Sequence, residues 1–143
     1  MEAPSGHRHS YTFTKAERLK SRKLIKALFT ESASFGLYPL RILYRLHPEP
    51  QEASVQVVVS VSKRRFKRAV DRNRIKRQLR EAYRHYKHPL LPLVPSGHTL
   101  LLGIVYTGKE ATTHNEIEAK LKKGIDRLSL KAPFSNTISN EKK

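Results

Sequence analysis

The chain has 143 residues, with 29 Lys and Arg against 12 Asp and Glu, so its formal net charge is +17. A hydrophobic content of 38% suffices for one modest core, which excludes two full domains at this length. The absence of Cys excludes disulfides and thiolate metal sites, and no apolar run is long enough for a membrane span or a signal peptide. We therefore expect a cytoplasmic domain with no membrane contact and a polyanionic partner.

The two ends of the chain lack hydrophobic periodicity, and the first helical pattern begins shortly after the N-terminal end. Residues 1–13 and 132–143 are predicted to be disordered, which leaves a single domain at residues 14–131. A helix is predicted over residues 22–31, with Ser21 as its N-cap. Thr14 and Glu17 match a capping box and offer an alternative start for this helix.

Two strand-like runs come next, at residues 38–47 and 54–62, with a Pro- and Glu-bearing turn between them. We predict that they pair antiparallel, as consecutive strands joined by a short turn commonly do. In the second run alternate valines share one face, which must be well buried. These residues are Val55, Val57, Val59 and Val61.

The segment at residues 63–84 is the most basic part of the chain, since eleven of its 22 residues are Lys or Arg and two are acidic. On a helix of about 100° per residue one side is an apolar stripe, formed by Ile75, Leu79, Ala82, Tyr83 and Tyr86. The opposite side carries Asn73, Arg77, Arg80 and Arg84. Like charges therefore stack on adjacent turns with almost no interspersed Glu, which predicts a helix that packs on one side and meets a polyanion on the other.

Three other interpretations of a basic helix are a solvated surface, a calmodulin target and an anionic membrane anchor. Arg outnumbers Lys eight to four over residues 63–87. The planar guanidinium of Arg can donate two hydrogen bonds at once to a phosphate or to a guanine edge. The apolar side is a narrow stripe with two tyrosines, unlike the broad Trp, Phe and Leu face of membrane helices. The pattern favours nucleic acid.

The remaining elements are a strand and a helix. The apolar run at residues 99–108 predicts a central strand buried on both faces. Thr113 and Glu116 match a capping box, and the helix that follows has one apolar stripe, formed by Ile117, Leu121, Ile125 and Leu128. The predicted order is helix, strand, strand, helix, strand, helix.

The segment SVSKRRFKRAVDRNRIKRQLRE closely resembles the signature of the bacterial ribonuclease P protein component, with RNR at residues 72–74. The resemblance covers residues 18–128. It implies the α+β class, as a small α/β sandwich with a four-stranded sheet, the order α-β-β-α-β-α, a left-handed βαβ crossover and a likeness to the second domain of ribosomal protein S5. It also implies an accessory subunit of an endoribonuclease that removes the 5′ leader of precursor tRNA, with the chemistry carried by ribonuclease P RNA and its Mg²⁺. We expect the free protein to be a monomer.

The resemblance implies two RNA-binding surfaces. Contact with ribonuclease P RNA is assigned to Arg72, Asn73, Arg74, Lys76, Arg77, Arg80 and Arg84. A cleft for the single-stranded leader is assigned to Ile25, Phe29, Tyr44, Lys63, Arg64, Arg65, Lys67 and Arg68. Ile25 departs from the aromatic residue of many members, so it can contact a base without stacking on it, and Tyr38 is a neighbour that can stack instead.

Two of these assignments have structural alternatives. Arg72 projects near the apolar stripe, and its alternative role is to brace the helix against the sheet or bound phosphate. Phe29 has the helical spacing with Ile25 and Leu28 that is typical of a core residue.

Two other functions are alternatives to RNA binding in ribonuclease P. A protein nuclease would need a carboxylate cluster for metal ions or a His with a partnered base. Neither pair of histidines, His7 with His9 or His85 with His88, has carboxylates or cysteines in a ligand pattern, so we predict no catalytic and no metal-binding residue. The other alternative is a ribosomal-type RNA-binding protein that has a basic helix and no leader cleft.

Overall fold

The computed structural model describes residues 13–134, which form one mixed sheet with helices on both sides. The helices are α1 (Arg22–Thr30), α2 (Ala69–Tyr86) and α3 (His114–Ser129), and two short 3-10 turns lie at Lys15–Glu17 and Leu91–Leu93. The strands are β1 (Ala33–Leu37), β2 (Leu40–His47), β3 (Val55–Val61) and β4 (Thr99–Tyr106). The predicted α+β class with a four-stranded sheet is confirmed.

The strand order in the sheet is β1-β2-β4-β3. β1 and β4 pair antiparallel with β2, whereas β3 pairs parallel with β4. The predicted antiparallel pairing of residues 38–47 with residues 54–62 is therefore wrong, because β4 lies between β2 and β3. α2 connects the parallel pair β3 and β4, and this is the crossover for which the resemblance implies a left hand.

β1 is an element that the sequence pattern did not predict. Its sequence ASFGL includes Ser34 and Gly36, two residue types that weaken a strand signal. A two-residue turn at positions 38 and 39 folds β1 back on β2, so that Leu37 pairs with Leu40. Pairing across this tight turn fixes β1 as a strand in spite of its composition.

The larger core lies between the sheet and the helices α2 and α3. Val55, Val57, Val59 and Val61 all point into it and are buried, as their alternation predicts. β4 is the central strand, and of its residues Val105 alone is not fully buried, which confirms the prediction of a strand covered on both faces.

The smaller core lies on the other side of the sheet, under α1. Leu28 of α1 is fully buried there with Leu101 of β4. Gly103 favours this close approach, since a Cβ at that position would crowd Leu28 Cδ2 at 3.2 Å and Leu43 Cδ1 at 3.1 Å.

Both N-terminal signals predicted for the first helix are used, but by two different elements. Ser21 caps α1, its hydroxyl accepting the N–H of Leu24 at 3.2 Å. The backbone N–H of Thr14 donates to the carboxylate of Glu17 at 3.0 Å and opens the preceding 3-10 turn. The chain therefore makes a separate turn before α1 begins.

The third helix has the predicted cap and stripe. The N–H of Glu116 donates to the Thr113 hydroxyl at 3.1 Å, and the whole apolar stripe from Ile117 to Leu128 is buried. No helix in residues 13–134 is long and apolar enough to cross a membrane.

The predicted disordered ends need a correction at their inner limits. Phe134 is fully buried, with its ring centroid 6.4 Å from that of Tyr44, so a disordered tail from residue 132 is wrong for its first three residues. Phe13 packs edge-on against Tyr83 at 5.8 Å. Residues 1–12 and 135–143 of the predicted tails lie outside the described part of the chain.

Candidate nucleic-acid interface

α2 has the two contrasting faces that its sequence predicts. Its apolar stripe holds it on the sheet and on α3, with Ile75, Leu79, Ala82 and Tyr83 at most 1% exposed. On the opposite side Asn73, Arg74 and Arg77 are exposed, and Lys76, Arg80 and Arg84 are partly buried at the flanks. We call these six residues the basic face of α2.

The acidic residues of α2 neutralise only its ends. The carboxylate of Asp71 lies 3.9 Å from the Arg68 guanidinium. Glu81 binds Arg84, and the hydrogen bond from Arg84 holds the pKa of Glu81 below its usual value. Within residues 13–134 no carboxylate pairs with Arg74, Lys76 or Arg77, so the middle of the basic face keeps its full charge for an anionic partner.

Arg72 has a structural role in addition to its predicted contact with RNA. Its Nη1 donates to the carbonyl oxygens of Phe66 and Lys67, at 2.7 and 2.9 Å. The structural alternative for Arg72 is thus supported, although the guanidinium braces the loop before α2 and not the sheet.

The loop between β3 and α2 presents the second group of cations. The Ser62 hydroxyl accepts the backbone N–H of Arg64 at 3.2 Å, and Phe66 is buried against Tyr106, so the loop is fixed at both ends. Arg65 donates to the Thr107 carbonyl. Arg65 nevertheless stays exposed, as do Lys63, Arg64, Lys67 and Arg68.

A depression of about 310 Å³ lies beside this loop, lined by Ser62, Arg64, Arg65, Val105, Tyr106 and Thr107. It continues onto the α1 side of the sheet, because Val105 is in register with Arg41 of β2 and Ser60 of β3. α1 covers the sheet near Gly103. The side chains of Arg41, Ser60 and Val105 lie on the same face beyond α1 and are not buried. Sequence reasoning missed Arg41 and Ser60, although their alternation with buried neighbours in β2 and β3 was the signal for this face.

The α1 residues of the predicted cleft differ in exposure. Phe29 is 43% exposed, which makes it one of the few large apolar side chains on the surface and contradicts the alternative that it is a core residue. Ile25 is partly buried and packs on the smaller core. Tyr38, the neighbour considered for stacking, is 67% exposed.

Tyr44 is not part of this surface, and its assignment to the cleft is wrong. It alternates with its neighbours in β2 so that it shares a face with Leu40 and Ile42. Its side chain therefore points into the larger core, on the side of the sheet away from α1. It is 2% exposed and packs against Phe35, with a centroid distance of 6.3 Å.

The histidines and carboxylates of residues 13–134 form pairs and no candidate metal site. Glu118 of α3 lies 3.5 Å from His85 and 3.1 Å from His114, a carboxylate neighbour for His85 that the sequence pattern did not indicate. Within residues 13–134 no three His, Asp or Glu side chains are grouped so that they could hold a metal ion. His7 and His9 lie outside the described residues.

A small α+β domain with an arginine-rich helix face, the middle of which its own acids do not neutralise, has the charge pattern of a nucleic-acid-binding protein. The family model described as ribonuclease P matches residues 13–129, which is most of the chain. The chain therefore belongs to the ribonuclease P protein family, a family of RNA-binding proteins of tRNA processing that work within a ribonucleoprotein.

Curated relatives agree with this family. Two proteins from strains of Porphyromonas gingivalis, each named ribonuclease P protein component, are 36% identical to this chain over 133 residues, which is 92% of this chain and 96% of theirs. A protein of the same name from Chlorobium phaeobacteroides is 36% identical over 99 residues, covering 67% of this chain and 68% of its own.

Solved structures confirm the fold. The ribonuclease P protein of Staphylococcus aureus superposes with a TM-score of 0.62 at 21% identity, covering 85% of this chain and 100% of that one. The protein from Thermotoga maritima gives 0.60 at 22% identity, covering 78% and 96%.

Proposed function

We propose that this chain is the protein subunit of ribonuclease P, which binds the catalytic RNA through the basic face of α2 and the 5′ leader of precursor tRNA on the α1 side of the sheet. The observation that carries the proposal is the exposed, uncompensated charge of Arg74 and Arg77 on a helix whose other face is locked into the core. A rigid helix holds these charges at fixed spacing, which suits a folded RNA better than a flexible tail would.

The protein's contribution in this proposal is binding and not bond cleavage. Two RNAs repel each other, and the cations of α2 and of the loop before it offset that repulsion by displacing condensed counterions. A leader that lies along exposed Phe29 and the depression beside Arg64 gives precursor tRNA a contact that mature tRNA lacks. The protein thereby favours substrate over product.

Mg²⁺ belongs to the RNA subunit in this proposal, where it activates water for phosphodiester hydrolysis. The described residues of this chain do not fit a metal site of their own, since they contain no suitable group of three His, Asp or Glu side chains. The proposal also places the chain in the cytoplasm and takes the free protein to be a monomer, in line with its cysteine-free composition and its high net charge.

The test is reconstitution of leader cleavage with ribonuclease P RNA at low Mg²⁺. We expect the full chain to restore cleavage, and the double variant Arg74→Ala/Arg77→Ala to need at least tenfold more protein for the same rate, because two charge-assisted phosphate contacts are lost. The matched control is Lys109→Ala/Lys123→Ala, which removes the same charge from exposed positions away from α2.

Two outcomes would contradict the proposal. If the wild-type chain leaves the ribozyme unaided and copurifies with ribosomes, a ribosomal-type RNA-binding protein becomes the better assignment. If both double variants lose the same activity, net charge and not the basic face of α2 governs binding.

A further inference from the structure

A small notch lies at the outer edge of β3, on the flank of α2 that faces away from α3. It has a volume of about 220 Å³, comparable to about seven water molecules. Its floor is apolar, with Leu19 and Val57 buried, and its rim carries Arg18, Lys20 and Arg80. Phe13 closes one side.

The backbone that carries Arg18 is fixed before any ligand arrives. Arg18 forms a parallel bridge with Val57, and the next residue, Leu19, donates its N–H to the Val57 carbonyl at 2.9 Å. The side-chain amide of Gln56 donates to the Ala16 carbonyl at 2.8 Å. The N-terminal segment thus extends the edge of the sheet and holds Arg18 opposite α2.

The two arginines line the same notch, and no carboxylate of residues 13–134 pairs with either of them. The Arg18 guanidinium lies 5.6 Å from the centroid of the Phe13 ring, which orients it. Arg80 reaches the notch from α2, and burial together with the charge of Arg18 lowers its pKa below the ordinary value. Two cations held close to each other, one of them partly buried, are a costly arrangement in the absence of an anion.

The acids closest in sequence are already engaged. Glu17 binds Lys87 and the backbone N–H of Thr14. Glu81 binds Arg84. Within residues 13–134 no carboxylate pairs with Arg18 or Arg80, so the charge that would balance them must come from a ligand or from beyond that range.

We propose that this notch binds a phosphodiester group of an RNA backbone between Arg18 and Arg80, with the adjoining ribose on the apolar floor. Arginine forks bind phosphate oxygens in pairs, and two forks from different elements define one phosphate position. The notch adjoins the basic face of α2, so the same RNA strand can continue from one to the other. The inference deepens the proposed function, on which it rests for the identity of the RNA.

The test measures the affinity of the full chain for ribonuclease P RNA as a function of salt. Arg18→Ala should weaken binding several-fold and reduce the slope of log affinity against log salt by about one unit, the signature of one lost phosphate contact. Arg80→Ala should have the same effect on affinity and on the slope. The double variant should lower the affinity little more than either single change, because both side chains bind one phosphate. Lys15→Ala is the matched control, since it removes an exposed charge from the same segment but does not line the notch.

Three results would overturn the inference. They are an unchanged salt slope in Arg18→Ala, an equal loss in Lys15→Ala, and strictly additive losses in the double variant. Thermal unfolding of each variant separates loss of binding from loss of folding, and Arg18→Lys, which keeps the charge but not the fork, should restore only part of the affinity.

Two further probes identify the source of the phosphate. Titration with inorganic phosphate and with a short single-stranded RNA of mixed sequence shows whether a free anion suffices, and we expect RNA to bind far more tightly. If the chain does not aid the ribozyme, the proposed function fails. Binding of the short single-stranded RNA still tests the notch, because Arg18→Ala should reduce the slope of log affinity against log salt for this RNA. An unchanged slope would contradict the inference.

Discussion

At the scale of single residues, the pair formed by Glu17 and Lys87 ties the N-terminal turn to the end of α2. Lys87 is 3% exposed, and its ammonium donates to the Glu17 carboxylate. Burial opposes the ionisation of Glu17, but the hydrogen bonds from Lys87 and Thr14 outweigh it and hold its pKa below the ordinary 4.5. A buried ammonium without this partner would be strongly destabilising.

We predict that Glu17→Gln lowers the free energy of unfolding by about 2–3 kcal/mol at neutral pH. A depressed pKa in the folded state stabilises the protein above the unfolded pKa, and this contribution is lost as pH falls through the folded one. Wild-type stability should therefore drop below about pH 4.5, whereas the Glu17→Gln variant should lack that part of the decline. Urea unfolding at several pH values measures both effects.

The control for this prediction is the double variant Glu17→Gln/Lys87→Met, which removes the buried charge as well. It should regain part of the lost stability, because the apolar Met leaves no buried ammonium that has lost its carboxylate. A double variant less stable than Glu17→Gln would show that Lys87 contributes through its other contacts.

At the scale of elements, periodicity predicted the helices well because it is a local property. The stripe from Ile75 to Tyr83 placed the basic side of α2 correctly, and the Thr113 cap placed the start of α3. The antiparallel pairing of β2 with β3 was wrong because a strand's pattern encodes its buried face and not its partner. β4, which separates them, is more than thirty residues further along the chain than β3.

Single site residues were hardest to predict where two roles share one residue type. Arg72 lies in the same motif as Arg74, yet only the fold shows that its guanidinium is used by the loop carbonyls. Tyr44 was placed by resemblance, although its parity with Leu40 and Ile42 indicates the larger core. For β2, alternation was thus a better guide than motif matching.

The sheet separates the two elements that we propose to bind RNA, α2 on one side and α1 on the other, and this separation makes their roles testable independently. We predict that Phe29→Ala weakens binding of precursor tRNA by the reconstituted holoenzyme by about 5- to 150-fold, because one base-stacking contact is worth about 1–3 kcal/mol. Binding of mature tRNA should not change. Equilibrium binding of the two tRNAs measures the ratio.

Leu130→Ala is the matched control for Phe29, since it shortens an exposed apolar side chain at the far end of α3. Equal weakening of precursor and mature tRNA in Phe29→Ala, together with a lower unfolding temperature, would place Phe29 among the structural residues. A selective loss with unchanged stability would assign it to the leader surface.

At the scale of the whole molecule, the net charge is +17, and exposed cations of residues 13–134 lie on both sides of the sheet. Arg74 and Arg77 carry it on the α2 side, and the loop cations Lys63 and Arg64 carry it at the edge toward the α1 side. Such a distribution attracts RNA from several directions, but only contacts at fixed positions release a defined number of counterions.

The salt dependence of binding to ribonuclease P RNA therefore distinguishes docking from loose attraction. If the chain contacts about six phosphates, log affinity should fall with log salt at a slope of about −4 to −5. The slope should shrink by about two units in Arg74→Ala/Arg77→Ala and stay unchanged in Lys109→Ala/Lys123→Ala, because only the former removes phosphate contacts. Affinities measured over a series of KCl concentrations at fixed Mg²⁺ give these slopes. A flat response in the wild-type chain would mean that the charge of α2 does not meet the RNA backbone.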